Sequence, residues 1–162
     1  LLYPWFVSTP NIQGTWKGQI NSSWKNPDTS KKAEAIEVYL VIHQTFSKIN
    51  LKLISAESSS DLLVGNILSD TEGRKKIIGT YNNTPRILLR DRSPIHYGSL
   101  ILDIHGNPPK TLDGFYWTDR ETKGELIFNI KIKRIIYNYE EAQKAFQDFS
   151  KADENVNKTF ST

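Results

Sequence analysis

The run Gly114-Phe115-Tyr116-Trp117-Thr118-Asp119-Arg120-Glu121-Thr122-Lys123-Gly124-Glu125 gathers more chemistry than any other stretch of the chain. On a strand, Tyr116 and Trp117 face opposite ways, and rings of this kind stack on a nucleobase or cap an apolar cavity. Arg120 and Lys123 suit a phosphate, the guanidinium adding bidentate geometry. Thr118 and Thr122 contribute short neutral donors. The same residues also read as a solvated hairpin turn carrying an Asp/Arg pair.

A second polar cluster holds Arg90, Arg92, Ser93, His96 and Tyr97. By itself it is an exposed connection, but it leads into the strand expected to pair with the Gly114 segment. Gln44 is a third candidate, because it falls on the apolar face of an alternating strand. A polar group there needs a partner, either a ligand or a neighbouring backbone group. Ser58, Ser59 and Ser60 read as turn chemistry.

Catalytic constellations are missing. The three histidines, His43, His96 and His105, have no metal-ligand spacing, so no metal site is expected. No nucleophile elbow, phosphate-binding loop or dinucleotide fingerprint occurs. With no cysteine, disulfides, thiolate metal sites and thiol nucleophiles are excluded. The formal charge of +3 over 162 residues suits a small anionic ligand rather than a DNA or RNA polymer. A binding protein, not an enzyme, is the expectation.

Positioning these groups falls to a chain with period-two hydrophobicity from Gly14 to Ile136. Strands are expected over about Gln13–Trp24, Ile36–Thr45, Leu51–Glu57, Leu62–Leu68, Lys75–Tyr81, Tyr97–Ile104, Leu112–Thr118 and Glu125–Arg134. Turns are expected at Lys25–Asp28, Ser58–Asp61 and Asn82–Pro85. Arg86–Pro94 reads as a loop in which Ile87-Leu88-Leu89 extends a strand or makes a short helix. Asn138 to Glu141 has the form of a capping box, opening a helix to about Ala152 with Ala142, Phe146 and Phe149 on one face. The fold class is therefore all-β: an eight-stranded antiparallel meander β-barrel with a C-terminal helix. Its Gly14-x-Trp16 opening and its final helix resemble those of lipocalins, so the barrel is expected to be lipocalin-like. Such a barrel is just wide enough for one small ligand. A two-sheet sandwich is the competing architecture. Residues 1–10 read as a membrane-proximal linker, 11–137 as the ligand-binding barrel and 138–162 as the C-terminal helix and tail.

The opening residues Leu1-Leu2-Tyr3-Pro4-Trp5-Phe6-Val7 are too few to span a bilayer, which takes about 20 apolar residues. Their aromatics suit either the headgroup end of a membrane helix or an apolar tail packed on the domain. With no methionine in the chain, Leu1 is expected to be a trimming point or a product of processing.

Four motifs together resemble a known family. They are Asn11-Ile12-x-Gly14-Thr15-Trp16-x-Gly18, Ile42-x-Gln44-Thr45-Phe46, Ser93-x-x-His96-Tyr97-Gly98, and Leu112-x-Gly114-x-Tyr116-Trp117-Thr118-Asp119-Arg120-x-Thr122-x-Gly124. The combination resembles the β-strand-rich effector domain of bacterial CBASS anti-phage systems, from Asn11 to Arg134. The Gly114–Gly124 run is the most specific part, whereas the Gly14-x-Trp16 element is shared with lipocalins.

The resemblance implies a receptor for a cyclic dinucleotide, needing no cofactor. It implies two transmembrane helices ahead of the barrel, hence an inner-membrane protein with this domain in the cytoplasm. Ligand binding would then drive self-association and loss of membrane integrity. The expected ligand-binding residues are Gln44, Arg90, Arg92, Ser93, His96, Tyr97, Tyr116, Trp117, Thr118, Arg120 and Lys123. The alternative is a lipocalin- or fatty-acid-binding-protein-like carrier of a small hydrophobic ligand. That reading is weakened because Arg134 and Tyr137 lie at an odd offset and cannot both point inward.

Overall fold

The computed structural model describes residues 9–25, 30 and 33–159. The expected linker up to Ser8, most of the Lys25–Asp28 turn and the last three residues lie outside the described residues. Eight strands follow in order: β1 (Gly14–Ser22), β2 (Ile36–Gln44), β3 (Ile49–Ile54), β4 (Ser58–Ser69), β5 (Lys75–Pro85), β6 (His96–His105), β7 (Thr111–Thr118) and β8 (Lys123–Ile132). Each pairs antiparallel with its sequence neighbour, and β1 pairs with β8, so the sheet closes into a barrel. Closure, rather than a sandwich, gives every strand a neighbour on both sides, although β3 and β4 pair only over Lys52–Ile54 and Ser59–Asp61.

Alternation sets what fills the barrel. Val38, Leu40 and Ile42 on β2 point inward with Leu102, Leu112, Leu126 and Phe128, all essentially buried. The other face of β2 is buried too, which half-exposed strands do not show. Tyr39 and Val41 point outward beneath the helix α1 (Tyr139–Thr159). The Phe146 ring stacks on Tyr39 with centroids 5.4 Å apart, and Tyr139 meets it edge-on at 5.5 Å. Asn138 caps the helix, its Oδ1 accepting the Glu141 N–H at 2.9 Å. The box is not closed, because the Glu141 carboxylate pairs with Arg134 instead. Phe149, expected on the buried face, is half-exposed.

One end of the barrel is plugged. Trp16 is fully buried there, and its indole N–H donates to the Ile12 carbonyl at 2.8 Å. Lys131 lies over its ring, 5.1 Å from the centroid. Gln44 ties down the incoming chain: its Oε1 accepts the Ile12 N–H at 2.9 Å and its amide donates to the Pro10 carbonyl at 3.0 Å. Among the described residues, access to the barrel interior is left to the opposite end, where β1, β3, β5 and β7 finish.

Two expected turns are strand instead. Ser58–Ser60 open β4 and Asn82–Pro85 finish β5, paired as Ser58↔Pro85, Ser59↔Thr84, Ser60↔Asn83 and Asp61↔Asn82. A bulge between Leu62 and Val64 shifts which residues face inward, so simple alternation along β4 breaks midway. The Ile87-Leu88-Leu89 segment forms a single 3-10 turn in the β5–β6 connection.

Candidate functional site

The open end holds a cavity of about 640 Å³, within the usual range for small-molecule sites. Its inner wall is apolar and aromatic, with Val38, Leu53, Leu126, Tyr81 and Tyr116 among the lining. Tyr81 and Tyr116 reach into this space because glycine stands beside each. Gly98 pairs with Tyr81 across β5 and β6, and a Cβ at Gly98 would overlap the Tyr81 ring. A Cβ at Gly124 would lie 2.7 Å from Cε1 of Tyr116. Burial raises the pKa of both phenols, so both remain neutral donors at physiological pH.

Above the tyrosines lies an uncharged polar layer. The Asn83 amide donates to Ser60 Oγ at 2.8 Å and to Ser58 Oγ at 3.2 Å. All three side chains line the cavity. Strand register brings His96 beside them, opposite Asn83 on β6.

The rim is charged. The β5–β6 connection crosses it and is held on both sides. Arg92 pairs with Glu57 at 2.7 Å, from the β3–β4 connection. Ser93 accepts a hydrogen bond from Arg120 Nη1 at 3.2 Å, from the β7–β8 turn. That turn is pinned internally by the Thr118 and Thr122 hydroxyls, 2.6 Å apart. The expected Asp/Arg pair is replaced by other bonds: Asp119 Oδ1 accepts the Tyr97 N–H at 3.2 Å, while Arg120 is turned to Ser93.

Of the residues singled out from sequence, Arg92, Ser93, His96, Tyr116, Thr118 and Arg120 converge on this cavity. The others are placed elsewhere. Gln44 is at the plugged end, spent on backbone groups. The Arg90 guanidinium turns back to the Pro85 carbonyl at 3.2 Å. Tyr97 and Trp117 fall on the outer face by alternation, each about half-exposed at 53% and 45%. Lys123 pairs with Trp117 on that same outer face.

Residues that sequence reasoning passed over include Tyr81, Asn83, Ser58, Ser60 and Glu57, all in the cavity lining. The signal for Asn83 was present: the inward series Ile77, Gly79, Tyr81 continues to it by steps of two. The carrier alternative finds no anchor in Arg134, which bonds Glu141 at 3.3 Å, nor in Tyr137, which is half-exposed.

Residues 7–134 match the model of the Cap15 cyclic dinucleotide receptor domain. The chain belongs to that family. A curated relative, CD-NTase-associated protein 15 from Staphylococcus schleiferi, is 32% identical over 90 residues, covering 56% of this chain and 47% of the relative. The chain thus spans about half the length of that relative. Membership agrees with the CBASS effector resemblance carried by the four motifs, and the match takes in both the plugged end and the rim. Among the described residues no helix is long and apolar enough to cross a membrane, and no group of three metal-ligating side chains occurs.

Proposed function

We propose that the open-end cavity is the binding site for a cyclic dinucleotide, and that this domain is the sensing part of a membrane-disrupting anti-phage effector. Arg92 and Arg120 meet the phosphates at the rim, with Ser93 and His96 beside them. The bases enter between Tyr81 and Tyr116, where stacking on an aromatic ring is worth about 1–3 kcal/mol per base. Occupancy drives self-association, and transmembrane segments ahead of the barrel then breach the inner membrane from the cytoplasmic side. The observation that carries this reading is one cavity with two guanidinium groups at its rim and two tyrosines in its wall.

The experiment is calorimetric titration of the 162-residue chain with cyclic di-AMP, cyclic di-GMP, cyclic GMP–AMP and cyclic di-UMP. At least one should bind, and at a hundredfold over its Kd it should add about 2.7 kcal/mol of stability. Arg92→Gln and Arg120→Gln should each weaken binding about tenfold or more, from loss of a charge-assisted hydrogen bond. If a folded chain binds none of the four, the receptor assignment is wrong for this protein.

A further inference from the structure

Beneath the charged rim, the Ser58–Asn83–Ser60 group is a hydrogen-bonded polar cluster in the cavity wall. Asn83 points inward from β5 by alternation, in register with Ser60 on β4. Ser60 is buried, 6% exposed, and its hydroxyl lies 2.8 Å from the Asn83 amide nitrogen. Ser58 holds the same nitrogen at 3.2 Å. Ser58 is itself anchored, because the Ser55 hydroxyl accepts its backbone N–H at 3.0 Å.

With both amide hydrogens directed at serine hydroxyls, Asn83 has its carbonyl oxygen left as an acceptor. An acceptor locked to two strands cannot turn to suit whatever base arrives. It accepts an N–H only from a base whose amino or imino donor falls at that point. Where that donor is absent, a desolvated carbonyl is left unpaired, which is how a built polar site rejects analogues. The rim guanidiniums have no such selectivity, because every cyclic dinucleotide presents two phosphates to them.

We propose that Asn83, clamped by Ser58 and Ser60, is the residue that discriminates between nucleobases, while Arg92 and Arg120 set affinity for all cyclic dinucleotides alike. The proposal rests on the receptor reading above and assigns the division of labour within that site. Ser60 acts through Asn83 and is a positioning residue.

The test measures the four cyclic dinucleotides against wild type, Asn83→Ala, Ser60→Ala and Arg120→Gln, with thermal melts confirming that each variant folds. Wild type should show a clear preference between its tightest and weakest ligands. Asn83→Ala should compress that ratio at least tenfold, the scale of discrimination that base hydrogen bonds supply. Ser60→Ala should compress it in the same direction but less. Arg120→Gln should weaken all ligands by a common factor and leave the ratio unchanged. The proposal is overturned if wild type has no preference, or if Asn83→Ala weakens every ligand equally. It is equally overturned if the ratio moves with Arg120 and not with Asn83. Failure of wild type to bind any of the four is a separate result, and it removes the receptor reading itself.

Discussion

Replacing Gly98 with alanine tests whether Tyr81 owes its place in the cavity wall to that glycine. Gly98 sits between two hydrogen-bonded neighbours, opposite Tyr81 on β5 and Thr118 on β7. An added methyl would overlap the Tyr81 ring and approach the Trp117 carbonyl oxygen to 2.8 Å. The β6 backbone is laddered on both sides, so the ring has to yield, and the space open to it is the cavity. Forcing one methyl into a packed site costs about 1–3 kcal/mol. For a domain of this size each kcal/mol moves Tm by about 2–4 °C, so a fall of about 2–12 °C is expected. If the cavity is the proposed site, ligand affinity should fall with it, because the displaced ring would take volume assigned to a base. Thermal unfolding and calorimetry of Gly98→Ala, Tyr81→Leu and the double variant measure both effects. Shortening Tyr81 in the Gly98→Ala background should recover part of the lost stability, giving a coupling of about 0.5 kcal/mol or more. Strict additivity would refute the argument, since the methyl would then not be meeting Tyr81.

Three further outcomes follow from the fold. Thr15→Val removes a buried hydroxyl that donates to the Arg134 carbonyl at 2.7 Å and accepts the Ile136 N–H at 3.1 Å; chemical denaturation should show a loss of about 1–3 kcal/mol for the groups left unpaired. Phe146→Ala should cost about 3–5 kcal/mol by opening a cavity against Tyr39, and calorimetry should find ligand affinity unchanged, because this core lies outside the barrel. Burial raises the pKa of Tyr39, Tyr81, Tyr116 and Tyr139 above the ordinary 10, with the Glu37 carboxylate adding to the effect at Tyr39. Raised phenols contribute stability that is complete below pH 10 and is lost as pH climbs towards their folded values, so Tm should hold to pH 10 and drop beyond it. Absorbance titration should show part of the seven-tyrosine signal delayed past pH 10.

The barrel was legible because its strands carry period-two hydrophobicity and its connections carry turn residues. β2 shows the limit of that signal: Val38, Leu40 and Ile42 announce an inner face, but nothing local says that Tyr39 and Val41 are buried under α1. The rim was half legible. Arg92, Ser93 and Arg120 are polar residues in connections, the ordinary place for a site on a rigid scaffold. Arg90 and Lys123 have the same chemistry, yet one turns to a local carbonyl and the other lands on the outer face. That choice depends on strand parity and turn geometry rather than composition. Asn83 and Ser60 were hidden for a different reason. Serine and asparagine are among the residues that dominate turns, and here the cross-strand pairing of β4 with β5 overrides that preference. Gln44 was correctly read as needing a partner, and its partner is the chain's own backbone.

Hydrogen exchange of the free and cyclic-dinucleotide-saturated chain tests the central claim most directly, since it reads location as well as binding. The account predicts new protection in the β5–β6 connection, residues 86–95, in the β7–β8 turn, residues 119–122, and at the β4–β5 wall around Ser60 and Asn83. The plugged end around Ile12, Trp16 and Gln44 should exchange as before. Saturating ligand with protection confined to the plugged end, or to the outer face of α1, would contradict it.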